Sequence, residues 1–270
     1  VAALVRSGTM GGDGVAAHLF SRANGLVDLA GNNNSNFDIQ LTEFSDHGVP
    51  LMINATLDYG TGVLIMFFNE TIMCDPLHML DVSKIELDDD GVETLNLVGA
   101  IAVAQNHTFV NITLSEAQRA LAIAMSGTSG GDGTPVRINL YSSGFHDMAL
   151  NLNSAQNQIL VSETNDTSAP RVTNVTLAYS GGVLVITANE YVDSTPVSLV
   201  NLSKIILVNQ TGDITLPLVG ATITAYDGYN IEIDLTEVQR VAALRMGFVT
   251  GGDGTQLRAD IYAGAFMDIA

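Results

Sequence analysis

Apolar and polar residues alternate along much of this chain with a period of two, the signature of half-buried β-strands. In Val172–Thr–Asn–Val–Thr–Leu177, Thr173, Val175 and Leu177 point one way and Asn174 and Thr176 the other. Val110, Ile112 and Leu114 oppose Asn111 and Thr113 in the same manner, and Ile231–Glu–Ile–Asp–Leu235 repeats the pattern. The longest apolar runs, such as Val63–Leu–Ile–Met–Phe–Phe68, have the length of strands. Two stretches break the alternation. Ser115-x-x-Gln118 and Thr236-x-x-Gln239 are capping boxes that open apolar, Ala-rich runs, and each predicts one short helix ending before a glycine-rich loop.

The pattern repeats. Asn54–Ala–Thr–Leu–Asp–Tyr59 matches Asn174–Val–Thr–Leu–Ala–Tyr179, and Ser83–Lys–Ile85 matches Ser203–Lys–Ile205. Leu114–Ser–Glu–Ala–Gln–Arg119 matches Leu235–Thr–Glu–Val–Gln–Arg240. The run Gly-Gly-Asp-Gly occurs three times, at residues 11–14, 130–133 and 251–254, and Val1–Ala–Ala–Leu4 matches Val241–Ala–Ala–Leu244. A self-similar period of ~120 residues marks a repeat architecture. With about seven strands and one helix in a connection, each repeat reads as an immunoglobulin-like sandwich. The expected fold is therefore all-β, a tandem array. Residues 1–49 form the C-terminal part of one repeat, 50–169 a complete one, and 170–270 one lacking its last strand. Asp46–His–Gly–Val–Pro50 and Asp166–Thr–Ser–Ala–Pro170 are short linkers, with each Pro ending one ladder before the next begins. On this reading the parent chain is longer at both ends, or a neighbouring copy completes each end.

Composition narrows the partners. Asp plus Glu number 29 against 10 Lys plus Arg, a formal charge of −19. Such a balance opposes nucleic acid, which needs clustered cations, and an anionic membrane surface. No apolar run reaches the roughly 18 residues of a membrane-spanning helix. The lone Cys74 has no partner for a disulfide within the chain and reads as a small buried hydrophobe.

Asn-x-Ser/Thr is the strongest chemical signal. Nine asparagines carry it where composition alone gives about three: Asn33, Asn54, Asn69, Asn106, Asn111, Asn165, Asn174, Asn201 and Asn209. N-linked glycans at these positions place them on the surface of a secreted protein. Asn54, Asn111 and Asn174 are expected on outward strand faces. There, sugars also block the lateral pairing of exposed strands.

Two aspartates recur 15 residues apart in each copy: Asp13 and Asp28, Asp132 and Asp147, Asp253 and Asp268. With Glu70 or Glu190 they offer hard oxygen ligands for Ca²⁺. The competing reading is that each caps a tight turn through its own backbone. The five histidines share no repeat position and no metal-binding spacing, and no nucleophile, phosphate or dinucleotide motif occurs, so no enzymatic activity is expected.

Asp166–Thr–Ser–Ala–Pro–Arg–Val172, Ala188–Asn–Glu–Tyr–Val–Asp193 and Asp28–Leu–Ala–Gly–Asn32 resemble the tandem immunoglobulin-like repeats, bacterial-type or cadherin-like, of large extracellular surface and fibre proteins. The resemblance covers essentially the whole chain. It implies adhesion or a structural fibre, in some cases with calcium between domains. Two functions follow as expectations. One is a structural subunit of a heavily N-glycosylated extracellular fibril, assembling end to end with copies of itself or within a longer parent chain. The other is the stalk of a cell-surface adhesin, stiffened by Ca²⁺. A third, the accessory module of a carbohydrate-active enzyme, has no catalytic residue behind it.

Overall fold

The structure, a computed structural model, describes residues 7–270. The helical start expected from Val1–Leu4 lies outside the described residues. Strand is the main regular structure of the described chain, with two α-helices, and the chain divides into two compact units. Unit 1 takes in the chain up to Ser115, Met125–Gly127 and Gly133–Thr164; unit 2 comprises Glu116–Ala124, Thr128–Asp132 and Asn165–Ala270.

Unit 1 opens with an antiparallel pair, β1 (His18–Ser21) and β2 (Phe37–Gln40), in register from His18↔Gln40 to Ser21↔Phe37. Its apolar residues stay in water: Phe20 is 73% exposed and Phe44 89%. A segment that buries so little has no core of its own, and residues 7–49 accordingly fall within unit 1 rather than forming a separate body. The rest of unit 1 is β3 (Met52–Asp58), β4 (Val63–Ile72), β5 (Ile85–Asp88), β6 (Thr94–Asn96), β7 (Ile101–Ala102), β8 (His107–Thr113), β9 (Arg137–Leu140) and β10 (Gln156–Thr164). They run in the order β6-β5-β9-β10-β3-β4-β8-β7. The period of two is visible in burial: on β4, Leu64, Met66 and Phe68 are buried and the residues between them are less so. β10 joins the two halves. Its start pairs antiparallel with β9 (Ile159↔Ile138) and, after a register shift, its end runs parallel to β3 (Val161↔Ala55).

Unit 2 repeats this plan with β11 (Val172–Ala178), β12 (Val183–Asp193), β13 (Ile205–Val208), β14 (Thr215–Pro217), β15 (Thr222–Ile223), β16 (Gly228–Asp234), β17 (Arg258–Ile261) and β18 (Met267–Asp268). One sheet is β11-β12-β16-β15, with β18 added on β12; the other is β14-β13-β17. Leu184, Ile186, Ile231 and Ile233 from the first meet Ile205 and Leu207 from the second in one core. No strand among the described residues of unit 2 takes the place of β10: β11 pairs only with β12, and β17 only with β13.

The two helices are α1 (Glu116–Ala124) and α2 (Glu237–Arg245). The expected capping box is present on α2. The Thr236 side chain accepts the Gln239 N–H, and the Gln239 side chain accepts the Thr236 N–H. By sequence α1 belongs to the second repeat, yet in space it folds within unit 2, so the compact unit crosses the sequence boundary.

The glycine-rich loops show what this crossing demands. Gly130 has φ of +82°, and a Cβ placed there would sit 2.0 Å from the Ile269 carbonyl oxygen. Gly11, with φ of +85°, meets the Met148 carbonyl in unit 1 at the same 2.0 Å. Only glycine tolerates both the left-handed backbone and that approach. Gly133 is the useful contrast, with φ of +95° and open space around it. Gly133→Ala is expected to cost the left-handed penalty alone, about 1 kcal/mol. Gly130→Ala should cost at least twice as much in a denaturant melt, because backbone must move. Equal losses would mean that the carbonyl contact does not constrain the loop.

Candidate functional site

The residue that α1 contributes to unit 2 is Arg119. Glu116 and Arg119 lie one helical turn apart. Arg119 Nε donates to Glu116 Oε2 (2.7 Å) and Nη2 to Glu116 Oε1 (2.6 Å), a two-pronged pairing that fixes the guanidinium plane. Its other edge faces the linker and the third repeat, where Nη1 donates to Asp166 Oδ2 and Nη2 to Glu190 Oε2 at 3.2 Å. Asp166, Glu190 and Asp268 form a trio whose oxygens lie within 4.8 Å of one another. Glu116 Oε1 also accepts the Tyr191 N–H at 2.8 Å, binding the same turn of helix to β12.

Local structure places each member. Asp166 begins the turn before Pro170 and accepts the Ser168 N–H at 2.8 Å. Glu190 sits on β12 where the register shifts between Thr187 and Val192, and Asp268 lies on β18 opposite Val192. Arg119 and Glu190 are each only 6% exposed. Burial opposes the charge on Arg119, but Glu116 and Asp166 outweigh it and hold the guanidinium above its ordinary pKa. Glu190 is pushed up, first by burial and then by Asp166, Asp268 and Glu116, with Arg119 offsetting part of the rise. Its Oε1 is buried without a hydrogen-bond partner.

Unit 1 contains the counterpart. Asp46 precedes Pro50 as Asp166 precedes Pro170. Glu70 sits on β4 at a matching register shift, between Phe67 and Ile72, and Asp147 bridges Ile72. Their oxygens also lie within 4.8 Å of one another. Asp147 is 1% exposed; its Oδ1 accepts the N–H groups of Ala149 and Asn151, and its Oδ2 accepts Asn151 Nδ2 (each 2.8 Å). Glu70 is raised from its ordinary range by burial, then by Asp147 and Asp46. Among the described residues no Lys or Arg pairs with this trio.

The expected aspartate pairs divide differently. Asp147 and Asp268 join the trios, each with the glutamate named from sequence. Asp13, Asp28, Asp132 and Asp253 belong to no group of metal-ligating side chains among the described residues. Asp13 accepts the Val15 N–H, Asp253 the Thr255 N–H and hydroxyl, and Asp28 the N–H groups of Ala30 and Asn32. These three cap turns, the competing reading of their recurrence. Asp46, Asp166 and Arg119 were missed, although the recurrence of Asp-x-x-x-Pro and of Glu-x-x-Arg was a signal that could have found them.

Most candidate glycan acceptors are accessible: Asn33, Asn54, Asn69, Asn165, Asn174 and Asn201 are exposed. Asn106 and Asn111 are half-buried; Asn106 Oδ1 accepts the N–H groups of Cys74 and Asp75. Asn209 departs from the expectation of a surface position. It is 6% exposed, and its Nδ2 donates to Thr211 Oγ1 (2.9 Å) and Asp213 Oδ1 (2.7 Å), leaving no route for a transferase in the folded chain. Cys74 is fully buried, its thiol pushed up to about 11 by burial.

No family model matches the chain. None of the curated proteins matches it in sequence. Among solved structures it is similar to a marsupial T cell receptor, at 8% identity and a TM-score of 0.17 over 77% of this chain; the match spans 61% of that receptor chain.

The trio of unit 1 generates a pH prediction. A carboxyl whose folded pKa lies above its ordinary value, 4.5 for Glu70, binds its proton more tightly folded than unfolded. The stability from that proton is complete below the ordinary value and is lost as pH rises through the folded one. At pH 7 ionised Glu70 therefore costs stability. Glu70→Gln should raise the thermal midpoint of unit 1 at pH 7 and leave it unchanged well below the ordinary glutamate range. A gain of equal size at both pH values would contradict burial and like charge as the cause.

Proposed function

We propose that this chain is a structural segment of an extracellular fibril, built from N-glycosylated immunoglobulin-like repeats that act by holding one another in line. The observation that carries this reading is Arg119, a helix residue of one sequence repeat enclosed by Asp166 of the linker that follows and Glu190 of the next repeat. A repeat whose helix folds into its neighbour's unit has a built-in connection, which a load-bearing array needs and an isolated catalytic domain does not.

Three further observations support it. Both units use the same strand plan apart from the β10 position, and the parallel β10–β3 pair in unit 1 joins its two halves through a terminal strand, an arrangement that suits a sandwich of two sheets. Asn54 and Asn174 stand on the outward faces of equivalent strands β3 and β11, where a sugar would cover polar strand surface. No helix among the described residues is long and apolar enough to cross a membrane.

The test is site-resolved mass analysis of the native material before and after glycan release, with electron microscopy of the same sample. Sugar is expected on Asn54 and Asn174 and not on Asn209, in filaments that include this chain. Unmodified Asn54 and Asn174 peptides, or a turnover abolished by changing one Asp or His, would overturn the reading.

A further inference from the structure

We infer that Asp46, Glu70 and Asp147 form a second guanidinium socket, whose ligand is an arginine presented on a helical Glu-x-x-Arg turn and not a divalent cation. The inference rests on the reading of Arg119 as the connection between consecutive repeats, and it extends that contact to a site where no such residue is described.

The filled socket supplies the reference. Asp166, Glu190 and Asp268 correspond one by one to Asp46, Glu70 and Asp147 at equivalent sequence positions, and in each trio the oxygens lie within 4.8 Å of one another. In the filled case the ligand is the Arg119 guanidinium, held flat by Glu116 one turn earlier. The surroundings of the open socket are already arranged for the same ligand. Gly11 meets the Met148 carbonyl as Gly130 meets the Ile269 carbonyl, so the loop that follows the helix in the filled joint has its counterpart in place in unit 1. Three carboxylates converge without a described cation, and burial first, then Asp147 and Asp46, disfavour the charge on Glu70; a single planar cation with several donors offsets both.

A divalent cation fits less well. Ca²⁺ takes six to eight oxygen ligands, whereas the trio brings together three carboxylates, and Asp147 already accepts the N–H groups of Ala149 and Asn151 and Asn151 Nδ2. The chain also carries a second arginine of the required kind. Arg240 on α2 repeats the two-pronged pairing with Glu237, at 2.7 and 2.8 Å.

Sequence register shows how to deliver the ligand. Val1–Leu4 match Val241–Leu244, so a copy of Leu235–Arg240 fused directly ahead of Val1 places a Glu-x-x-Arg turn within one residue of the register that Arg119 has relative to Asp166. The experiment compares thermal midpoints of unit 1 in the 270-residue chain, in this extended chain, and in an extended chain whose added arginine is alanine. The arginine extension is expected to raise the midpoint by several degrees. The alanine extension should not, and Asp46→Asn, at an exposed position, should remove most of the gain. Equal midpoints for the arginine and alanine extensions would overturn the inference. So would calcium alone raising the midpoint of the unextended chain through a response lost in Asp46→Asn. Either failure leaves the Arg119 contact and the glycan test standing, so the two readings are separable.

Discussion

The burial of one positive charge organises this protein. A guanidinium taken out of water costs several kcal/mol unless carboxylates and well-made hydrogen bonds replace its hydration. Arg119 is enclosed, so Glu116, Asp166 and Glu190 must all be in place at once. The first lies on the same helix, the second on the linker turn, and the third on a strand of the next repeat. A requirement for simultaneous placement turns a surface helix into part of a neighbouring unit. It also explains why carboxylates that would otherwise repel one another are gathered on β12, β18 and the turn before Pro170.

The same constraint explains the glycines. Bringing α1 to its carboxylates carries the following loop against the backbone at Ile269 and Ala270, and Gly130 is the residue that permits this contact. The acid–base imbalance of the whole chain follows a related logic. The Arg119 contact gathers three paired carboxylates, with Asp268 beside them, around one arginine, so it adds net negative charge to the chain without any demand from a cationic partner.

Much of the fold was legible in the sequence because its signals are local. The alternation at Val110, Ile112 and Leu114 and at Ile231, Ile233 and Leu235 is the burial pattern seen on β8 and β16. The capping box at Thr236 is a four-residue device and was readable as such. What escaped was non-local. Asp46 and Asp166 looked like linker residues because their partners, Glu70 with Asp147 and Glu190 with Asp268, lie 24 to about 100 residues away and meet them only through strand pairing. Arg119 ended a repeated helical segment, and nothing local marked Asp166 and Glu190 as its partners. Asn209 carried a valid acceptor motif, but its amide closes a turn onto Thr211 and Asp213, and burial of that kind leaves no mark in a three-residue pattern.

The central claim is that Arg119 and Asp166 are energetically coupled, beyond their proximity in space. A double-mutant cycle measures this directly, using equilibrium unfolding of unit 2 in the parent chain, Arg119→Ala, Asp166→Ala and the double variant. The expected coupling is at least about 2 kcal/mol, with the double variant more stable than the sum of the single losses implies, because removing both partners leaves fewer uncompensated charges than removing one. A coupling indistinguishable from zero, with the two losses simply adding, would contradict it.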